Sequence, residues 1–246
     1  MGRCGLGAKA HVAEVFTHIA EEPPINPSCN IGLAGCGLGC SFCQKHELLY
    51  IDNYPQCLDN RVWDCIDAQI EFANSISFIG GNPDESLHEI LKFLGTAPST
   101  LNKPIIWNSN GFAMPVVYSL LEGVVDAYVP DAKFYASICG ARLADAPNYF
   151  EMFESGLSEM VKQKVPIIVR ILVLPGHTDC CHYPMIEFLS RYANKIKLNI
   201  MGQYYPDYQI NSGHGCKMIR RPDVNEVNKV REYALQIDKD WIGFNA

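Results

Sequence analysis

The stretch GCGLGCSFCQKHEL, residues 35–48, carries three cysteines with the spacing C-x3-C-x2-C: Cys36, Cys40 and Cys43. An iron–sulfur cluster that is closed by four protein thiolates serves electron transfer. Three thiolates leave one iron of a four-iron cluster open, so that a substrate or cosubstrate can bind there. This stretch therefore predicts a metal centre at which a reaction can start.

The same three cysteines are compatible with two other kinds of site. With His46 as a fourth ligand they could bind zinc, although structural zinc sites commonly use separated pairs of ligands. With His46 or Cys57 closing the cluster, the chain would be an iron–sulfur electron carrier or cluster-transfer protein. A short motif predicts poorly by itself, so the segments that follow it in the chain have to decide between these hypotheses.

The composition indicates a compact protein with one core. The chain has 246 residues, of which 48% are hydrophobic and 19% charged, and we expect a single domain over residues 1–246. The net charge of −7 argues against a nucleic-acid partner, because that kind of binding depends on clustered Lys and Arg.

The first residues lack the features of a secretory signal, and no apolar run reaches the ~18 residues that a membrane helix requires. We therefore expect a cytoplasmic protein with no membrane partner. Eleven cysteines in such a chain favour a metal site and free thiols over disulfides. Outside the motif, Cys180 and Cys181 follow a predicted active-site loop, and a role for them is worth testing.

Short apolar runs alternate with helical patterns after the cysteine motif, which favours βα units and a mostly parallel sheet. The predicted strands are 30–34, 76–79, 105–108, 124–129, 167–173 and 197–201. Helical spacing of apolar residues predicts helices near 62–73, 87–94, 150–161, 185–189 and 227–237, the last after a cap at Pro222-Asp223. Together they predict an α/β fold, a partial (β/α)6 TIM-like barrel of parallel strands with outer helices.

Three irregular stretches are expected to form substrate-facing loops, because a rigid scaffold tends to carry function on its loops. They are residues 52–60, 135–148 and 203–221, the last leading into the C-terminal helix that ends near residue 240. In a barrel of parallel strands, active-site residues lie at the C-terminal ends of the strands.

The second predicted strand ends in FIGGNPDESL, residues 78–87. Paired glycines, Gly80 and Gly81, allow the backbone to approach a ligand closely. Asn82 is also a good helix cap, with Pro83 at the first helical position and Glu85 as the partner in a capping-box-like arrangement. Both interpretations of Asn82, as a cap and as a ligand contact, stay open.

Two later segments carry charged residues in or just after a predicted strand. In DAYVPDAKF, residues 126–134, Asp131 and Lys133 would share one face of a strand, or form an exposed pair of little energetic value. In PIIVRILVLPGH, residues 166–177, Arg170 interrupts an apolar strand and should meet an anion, unless it reaches out at the rim. Alternation along the strand should point Arg170, Leu172 and Leu174 one way. His177 is a candidate proton donor or substrate ligand.

These segments occur in a specific order, together with IIWNSNGF at residues 105–112 and NIMGQYYP at residues 199–206. In that order the chain resembles the pyruvate formate-lyase activating enzyme branch of the radical S-adenosylmethionine superfamily. The resemblance implies an enzyme that reductively cleaves S-adenosylmethionine at a [4Fe-4S] cluster and gives a 5′-deoxyadenosyl radical for hydrogen abstraction. The alternatives it leaves open are activation of a glycyl-radical enzyme and modification of a small molecule or another protein.

The resemblance also implies roles for individual residues. Cys36, Cys40 and Cys43 would hold the cluster, whose open iron is chelated by the amino and carboxylate groups of S-adenosylmethionine. The residues that would contact this cosubstrate are Phe42, Gly80, Gly81, Asn82, Asn108, Asn110, Asp131, Lys133 and Arg170. The implied partners are a one-electron donor such as flavodoxin or ferredoxin, and a glycyl-radical protein or small molecule as substrate.

The chain departs from the pattern of the family at three places. Asn82 stands where the family has an acid after the glycine pair, and Ile171 stands where this branch often has a histidine. Relatives commonly begin earlier, with an additional cysteine-containing segment, so we expect Met1 to start a shortened form.

Overall fold

The computed structural model of the protein describes residues 4–212, 218–238 and 240–241. These residues divide into two compact units. The first unit comprises residues 4–37, 45–109 and 120–128. The second comprises residues 38–44 and 110–119 and the described residues from 129 onward. A single domain over residues 1–246 stays a prediction.

A five-stranded, mostly parallel sheet has the strand order β1-β2-β3-β4-β5. Its strands are β1 (His11–His18), β2 (Ser28–Ala34), β3 (Ser75–Gly80), β4 (Ile105–Ser109) and β5 (Ala127–Pro130). Strands β2, β3 and β4 pair in parallel, and β1 pairs with β2 in antiparallel. The division between the units falls within β5. Every residue of β2 is buried, which is typical of a parallel strand covered on both faces.

Helices flank the sheet of the first unit. Helix α1 (Arg61–Ile70) packs against β1 and β2. It meets α2 (Leu87–Leu94) through the stacked rings of Trp63 and Phe93, whose centroids lie 4.2 Å apart. The apolar stripe of each helix therefore faces the interior, as the 3.6-residue period predicts.

The second unit contains the parallel pair β6 (Ile168–Leu172) and β7 (Lys197–Met201). Its helices are α4 (Ser137–Ala144), α5 (Tyr149–Lys162), α6 (Tyr183–Leu189) and α7 (Val224–Ile237), and α3 (Pro115–Leu120) begins in it. A π-helical turn, Thr178–His182, precedes α6. Among the described residues, none of the helices has both the length and the apolar character needed to cross a membrane.

All six predicted strands are present, with shifts at their ends, and the α/β class is confirmed. The largest shift is at β5, which begins at Ala127 instead of residue 124. The cap at Asp223 is also confirmed, because its side chain accepts the Glu226 N–H and the Glu226 side chain accepts the Asp223 N–H.

Strand β1 was not predicted. It is an edge strand whose residues are mostly half-buried or exposed, so its sequence lacks the continuous apolar run of the central strands. The prediction of an irregular stretch over residues 135–148 was wrong, because α4 occupies its middle. Of the predicted loop 203–221, residues 213–217 lie outside the described residues, and Tyr208–Ser212 form a 3-10 helix.

Candidate functional site

The cysteine motif spans the division between the two units. Cys36 follows β2 in the first unit, and Cys40 and Cys43 lie in the second. Within the second unit, the backbone N–H of Cys43 donates to the Cys40 carbonyl at 3.2 Å. The part of the loop around Cys40 is therefore a tight turn.

Helix α4 anchors this turn. The N–H of Gly39 donates to the Ala144 carbonyl at 2.9 Å, and the N–H of Ser41 donates to the Leu143 carbonyl at 2.8 Å. The last carbonyls of a helix have no partner within the helix, so the end of α4 offers two acceptors that the cysteine loop uses. Helix α4, which lies in a region predicted to be a loop, thus supports the turn at Cys40.

The Cys40 sulfur is buried and lies near charged side chains. Burial raises the pKa of the Cys40 thiol to about 12, and the nearby Lys133 amine opposes this rise while Cys43 and Asp131 add to it. A thiolate at this position needs a cation close by, since an unpaired buried charge is costly. Iron bound by Cys40 would provide that cation, so the donor chemistry of the site fits an iron–sulfur cluster.

Asp131 and Lys133 form an ion pair next to Cys40. Lys133 Nζ lies 2.6 Å from Asp131 Oδ2, and the two side chains are 21% and 28% exposed. Burial alone would lower the pKa of the Lys133 amine, but Asp131 and the Cys40 sulfur hold that pKa above its usual value. The pair is therefore a partly buried cation and anion facing a predicted cluster ligand, not a solvated surface pair.

Tyr149, the first residue of α5, joins two strand-end segments, and the sequence did not single it out. Its buried hydroxyl lies 2.8 Å from the Asn110 carbonyl oxygen and 2.5 Å from the Asp131 carbonyl oxygen, and it accepts the Lys133 N–H at 3.1 Å. The segments after β4 and β5 therefore share one hydrogen-bonding centre. A buried Tyr usually finds such partners, but nothing in a helical apolar stripe reveals which ones.

Arg170 lies beside the Asp131 segment. Its carbonyl accepts the Ala132 N–H at 2.7 Å, and Asp131 and Arg170 form a parallel bridge. Arg170 and Leu172 are half-buried, whereas the residues that alternate with them are buried, as expected if the two share a face. The strand ends at Leu172, so Leu174, which is buried, lies beyond it and the predicted alternation does not extend that far.

In the first unit, Gly80 and Gly81 approach the backbone of β2 and of the residue that follows it, close to the start of the cysteine motif. A Cβ on Gly80 would lie 2.3 Å from the Leu33 nitrogen, and one on Gly81 would lie 2.1 Å from the Gly35 carbonyl oxygen. Gly80 also has φ of +119°, which favours glycine. Glycine is therefore required at both positions, because the chain there passes close to β2 and to Gly35, the residue before Cys36. Contact of the glycine pair with a ligand stays a prediction.

Asn82 is not the N-cap residue of the helical turn that follows it, so the interpretation of Asn82 as a cap was wrong. The turn begins at Asp84, and Pro83 occupies the N-cap position. Instead the buried Asn82 amide donates to Asp84 at 3.1 Å and to Glu85 at 2.7 Å. The indole N–H of Trp107, in β4, donates to Asp84 at 2.7 Å. Asn82 is therefore a donor between two carboxylates.

Glu85 connects the buried polar group of Asn82, Asp84 and Trp107 to the cysteine motif. Its carboxylate accepts the N–H of Gly37, the residue after Cys36, at 2.5 Å. Burial, with Asp84 adding to it, raises the pKa of the half-buried Glu85 carboxyl to about 7. Glu85 therefore holds the backbone at the start of the cysteine motif.

The remaining predicted site residues have defined structural roles. Asn110 is buried and its side-chain oxygen accepts the Phe112 N–H at 2.8 Å, an Asx-type turn. Asn108 is half-buried near the end of β4. Phe42 is buried in edge-to-face contacts with Phe134 and Tyr204. Their contacts with a cosubstrate stay predictions.

His177 lies in the loop after β6, and its Nδ1 is 2.9 Å from the Pro175 carbonyl oxygen. The nearby His182 is buried, and its Nε2 accepts the Leu174 N–H at 3.2 Å. Burial lowers the pKa of His182 to about 4, so this ring is neutral at neutral pH. A role of His177 in proton donation or substrate binding stays a prediction.

No protein-family model matches the chain. The chain is 31% identical over 248 residues to a protein of Methanocaldococcus jannaschii named "Uncharacterized protein MJ0674", covering 98% of this chain and 71% of that protein.

Several solved structures are similar in fold. Spore photoproduct lyase with bound S-adenosylmethionine and dinucleoside spore photoproduct has a TM-score of 0.56 at 10% identity, covering 94% of this chain and 78% of that chain. Streptococcus suis SuiB bound to S-adenosylmethionine has a TM-score of 0.55 at 14% identity, covering 85% and 47%. TYW1 with a lysine-pyruvate adduct has a TM-score of 0.51 at 14% identity, covering 87% and 75%.

These likenesses show the fold, which is an α/β fold of the partial TIM-like barrel type that the three structures share. The chain spans about half the length of SuiB. At such low identity the likeness carries the fold and not the reaction.

Proposed function

The chain belongs to the family of the Methanocaldococcus jannaschii protein MJ0674, and we propose that it is a radical S-adenosylmethionine enzyme. One observation carries the proposal: Cys36, Cys40 and Cys43 form a C-x3-C-x2-C motif in a chain with the fold of such enzymes. A [4Fe-4S] cluster held by these residues supplies, when it is bound and reduced, the electron that cleaves S-adenosylmethionine to a 5′-deoxyadenosyl radical.

The chain's own residues would hold and shield the reacting groups. Cys40 is buried and lies close enough to Lys133 for their charges to interact, so a cluster at this position is kept from water on that side. Lys133 is a cation held by Asp131, and Tyr149 fixes the backbone of both. We assign these residues to orienting the polar part of the cosubstrate.

Arg170 is proposed to bind a carboxylate, either of the methionine part of the cosubstrate or of a substrate. Its strand is joined to the Asp131 segment by a backbone hydrogen bond. A planar guanidinium suits bidentate carboxylate binding. In the first unit, Gly80, Gly81 and Asn82 are proposed to shape the start of the cysteine loop and the place of the amino group.

The substrate is proposed to be a hydrogen donor of one of two classes. One candidate, suggested by the resemblance in the order of segments, is activation of a glycyl-radical protein by removal of hydrogen from a backbone glycine. The solved relatives show how varied the alternatives are, since SuiB has been seen with a precursor peptide and spore photoproduct lyase with a dinucleoside. Because one fold serves such different substrates, modification of a small molecule or another protein is the second candidate.

The proposed setting is the cytoplasm, with a flavodoxin or ferredoxin as the one-electron donor. This part rests on the cysteine content, which favours a reducing compartment. A reduced ferredoxin that supports turnover in place of a chemical reductant would support it.

The reaction is tested by anaerobic reconstitution with iron and sulfide, followed by reduction in the presence of S-adenosylmethionine and measurement of 5′-deoxyadenosine. We expect product from the wild type and complete loss in Cys40→Ala. The matched control is Cys65→Ala, at an exposed cysteine of α1, which should keep full activity. Iron uptake without 5′-deoxyadenosine would indicate an electron-transfer protein instead, and zinc without iron would indicate a zinc module.

The substrate class is tested separately. A glycyl-radical protein that is captured by the chain, and that gains a glycyl radical signal in electron paramagnetic resonance after incubation with it, would support the first candidate. If 5′-deoxyadenosine forms but no captured protein gains such a signal, the second candidate is favoured.

A further inference from the structure

A second group of three cysteines lies in the second unit, away in sequence from the C-x3-C-x2-C motif. Cys139 lies in the first turn of α4, and Cys180 and Cys181 lie in the π-helical turn before α6. Their three sulfur atoms all lie within 4.8 Å of one another, and the Sγ atoms of Cys139 and Cys180 are 3.7 Å apart. Two elements that are far apart in sequence therefore bring three thiols to one point.

The local backbone allows two adjacent cysteines to reach the same point. Successive residues of a regular α-helix do not face each other, whereas a π-helical turn widens the helix and is frequent at functional sites. In this turn the N–H groups of Cys181 and His182 both donate to the His177 carbonyl, at 3.0 and 3.1 Å. The turn thus directs Cys180 and Cys181 toward α4 together.

The distances fit a single metal ion. A zinc–thiolate bond is about 2.3 Å long, so two sulfurs on one tetrahedral ion lie about 3.8 Å apart. The separation of 3.7 Å between Cys139 and Cys180 matches this value, and it is far longer than the ~2.0 Å of a disulfide. In a four-iron cluster each cysteine binds a different iron, which requires sulfurs that are further apart than these.

The surroundings disfavour a bare thiolate but contain groups that would support a metal-bound one. Burial raises the pKa values of the Cys139 and Cys181 thiols, so bare thiolates here would be unfavourable. Backbone N–H groups of Tyr135 and Ala136, however, stabilise an anion at Cys181, and the charge of Arg142 stabilises one at Cys139. The first turn of a helix adds to this effect, and a bound cation would complete it by displacing the thiol protons.

From this geometry we propose that Cys139, Cys180 and Cys181 bind one thiophilic metal ion, Zn²⁺ or Cu⁺. Thiolates select these ions, and three protein ligands leave a fourth position for water or an exchangeable ligand. The elements that carry the site follow β5 and β6. They therefore come after the C-terminal ends of these strands, where active sites lie in this kind of fold. The site is independent of the predicted iron–sulfur cluster and of the proposed reaction.

The test uses the full chain in two forms. In the first, the triple variant Cys36→Ala, Cys40→Ala and Cys43→Ala is purified under reducing, anaerobic conditions, freed of metal with a chelator and titrated with Co²⁺. We expect cobalt–thiolate charge-transfer and tetrahedral ligand-field bands that saturate at about one ion per chain. Displacement by Zn²⁺ and competition for Cu⁺ with a chromogenic chelator identify which ion binds more tightly.

Additional substitutions in this triple variant locate the site. Cys180→Ser or Cys139→Ala should abolish the cobalt–thiolate bands, and Cys65→Ser should leave them unchanged. Bands that survive Cys180→Ser, no bands in a triple variant whose circular dichroism shows that it is folded, or a Cys139–Cys180 disulfide in protein purified with reductant would overturn the proposal.

The second form is the reconstituted wild type, which decides the matter if the triple variant does not fold. Elemental analysis should find zinc or copper in addition to iron, and Cys180→Ser should remove it while the iron content stays the same. The absence of both metals from wild type that has been incubated with each would overturn the proposal. Neither measurement depends on cleavage of S-adenosylmethionine.

Discussion

Glu85 should make the folded protein less stable as the pH rises through the range in which this carboxyl loses its proton. Burial, followed by the charge of Asp84, raises the pKa of the Glu85 carboxyl from 4.5 to about 7. The folded state therefore binds this proton more tightly than the unfolded state does. The resulting stability is fully present below about pH 4.5 and is lost as the pH rises through about 7.

The magnitude follows from the size of this rise. Each unit of pKa corresponds to about 1.4 kcal/mol, so a rise from 4.5 to about 7 corresponds to about 3 kcal/mol in the free energy of unfolding. Most of this change should fall between about pH 5 and pH 8. It is a large part of the about 5–15 kcal/mol that stabilises a typical protein.

The assay is urea unfolding of wild type and Glu85→Gln across this pH range, with the same cluster content in both. The glutamine cannot lose a proton, so the variant should lack the part of the pH dependence that belongs to Glu85. The comparison uses the difference between the two pH profiles, because groups that do not interact with Glu85 contribute equally to both. Glu71→Gln, at an exposed residue after α1, should follow the wild-type profile.

The reasoning would be refuted by parallel profiles for wild type and Glu85→Gln, or by wild type gaining stability relative to the variant as the pH rises. Parallel profiles would mean that the carboxyl titrates as an ordinary solvated acid. A relative gain would mean that its pKa is lowered in the folded state, so that hydrogen bonds such as the one from Gly37 outweigh burial.

Gly81→Ala should destabilise the protein by about 1–3 kcal/mol, since its Cβ would lie 2.1 Å from the Gly35 carbonyl oxygen; urea midpoints check this, with Gly7→Ala, where nothing lies within 4 Å of the added Cβ, as a control. Tyr149→Phe should cost about 1–3 kcal/mol, because the hydroxyl that joins two strand-end segments is lost, and an unchanged midpoint would contradict this role. Burial lowers the pKa of His182 from 6.5 to about 4, so stability that is present above pH 6.5 should fall by about 3 kcal/mol as the pH drops toward 4. His182→Gln should remove that fall, as measured by urea unfolding at several pH values.

Several features of the fold could be predicted from local sequence. Five strands are short apolar runs in which most residues are buried: β2, β3, β4, β6 and β7. Each of them can therefore be predicted from its own residues. The capping box at Asp223 was predictable for the same reason, because its two partners are three residues apart. The cysteine motif is local as well, and its spacing named the candidate metal ligands, although the later segments had to decide which kind of site they form.

Contacts between segments distant in sequence could not be predicted. Asn82 looked like a helix cap, yet it donates to two carboxylates in a buried group that includes Trp107 of the next strand. The role of Tyr149 depends on the carbonyls of two other segments. Strand β1 exists because β2 offers it an edge, and its own half-polar sequence is a weak signal.

The two groups of cysteines show the same division most clearly. The sequence by itself predicted the apolar strands and most of the helices, though not β1 or α4, and it named the candidate cluster ligands, because these depend on residues that are neighbours along the chain. Only the tertiary structure decided that α4 supports the turn at Cys40 and that Cys139 meets Cys180 and Cys181. The physical reason is that burial and charge depend on which segments pack together, and packing is settled by the whole chain at once.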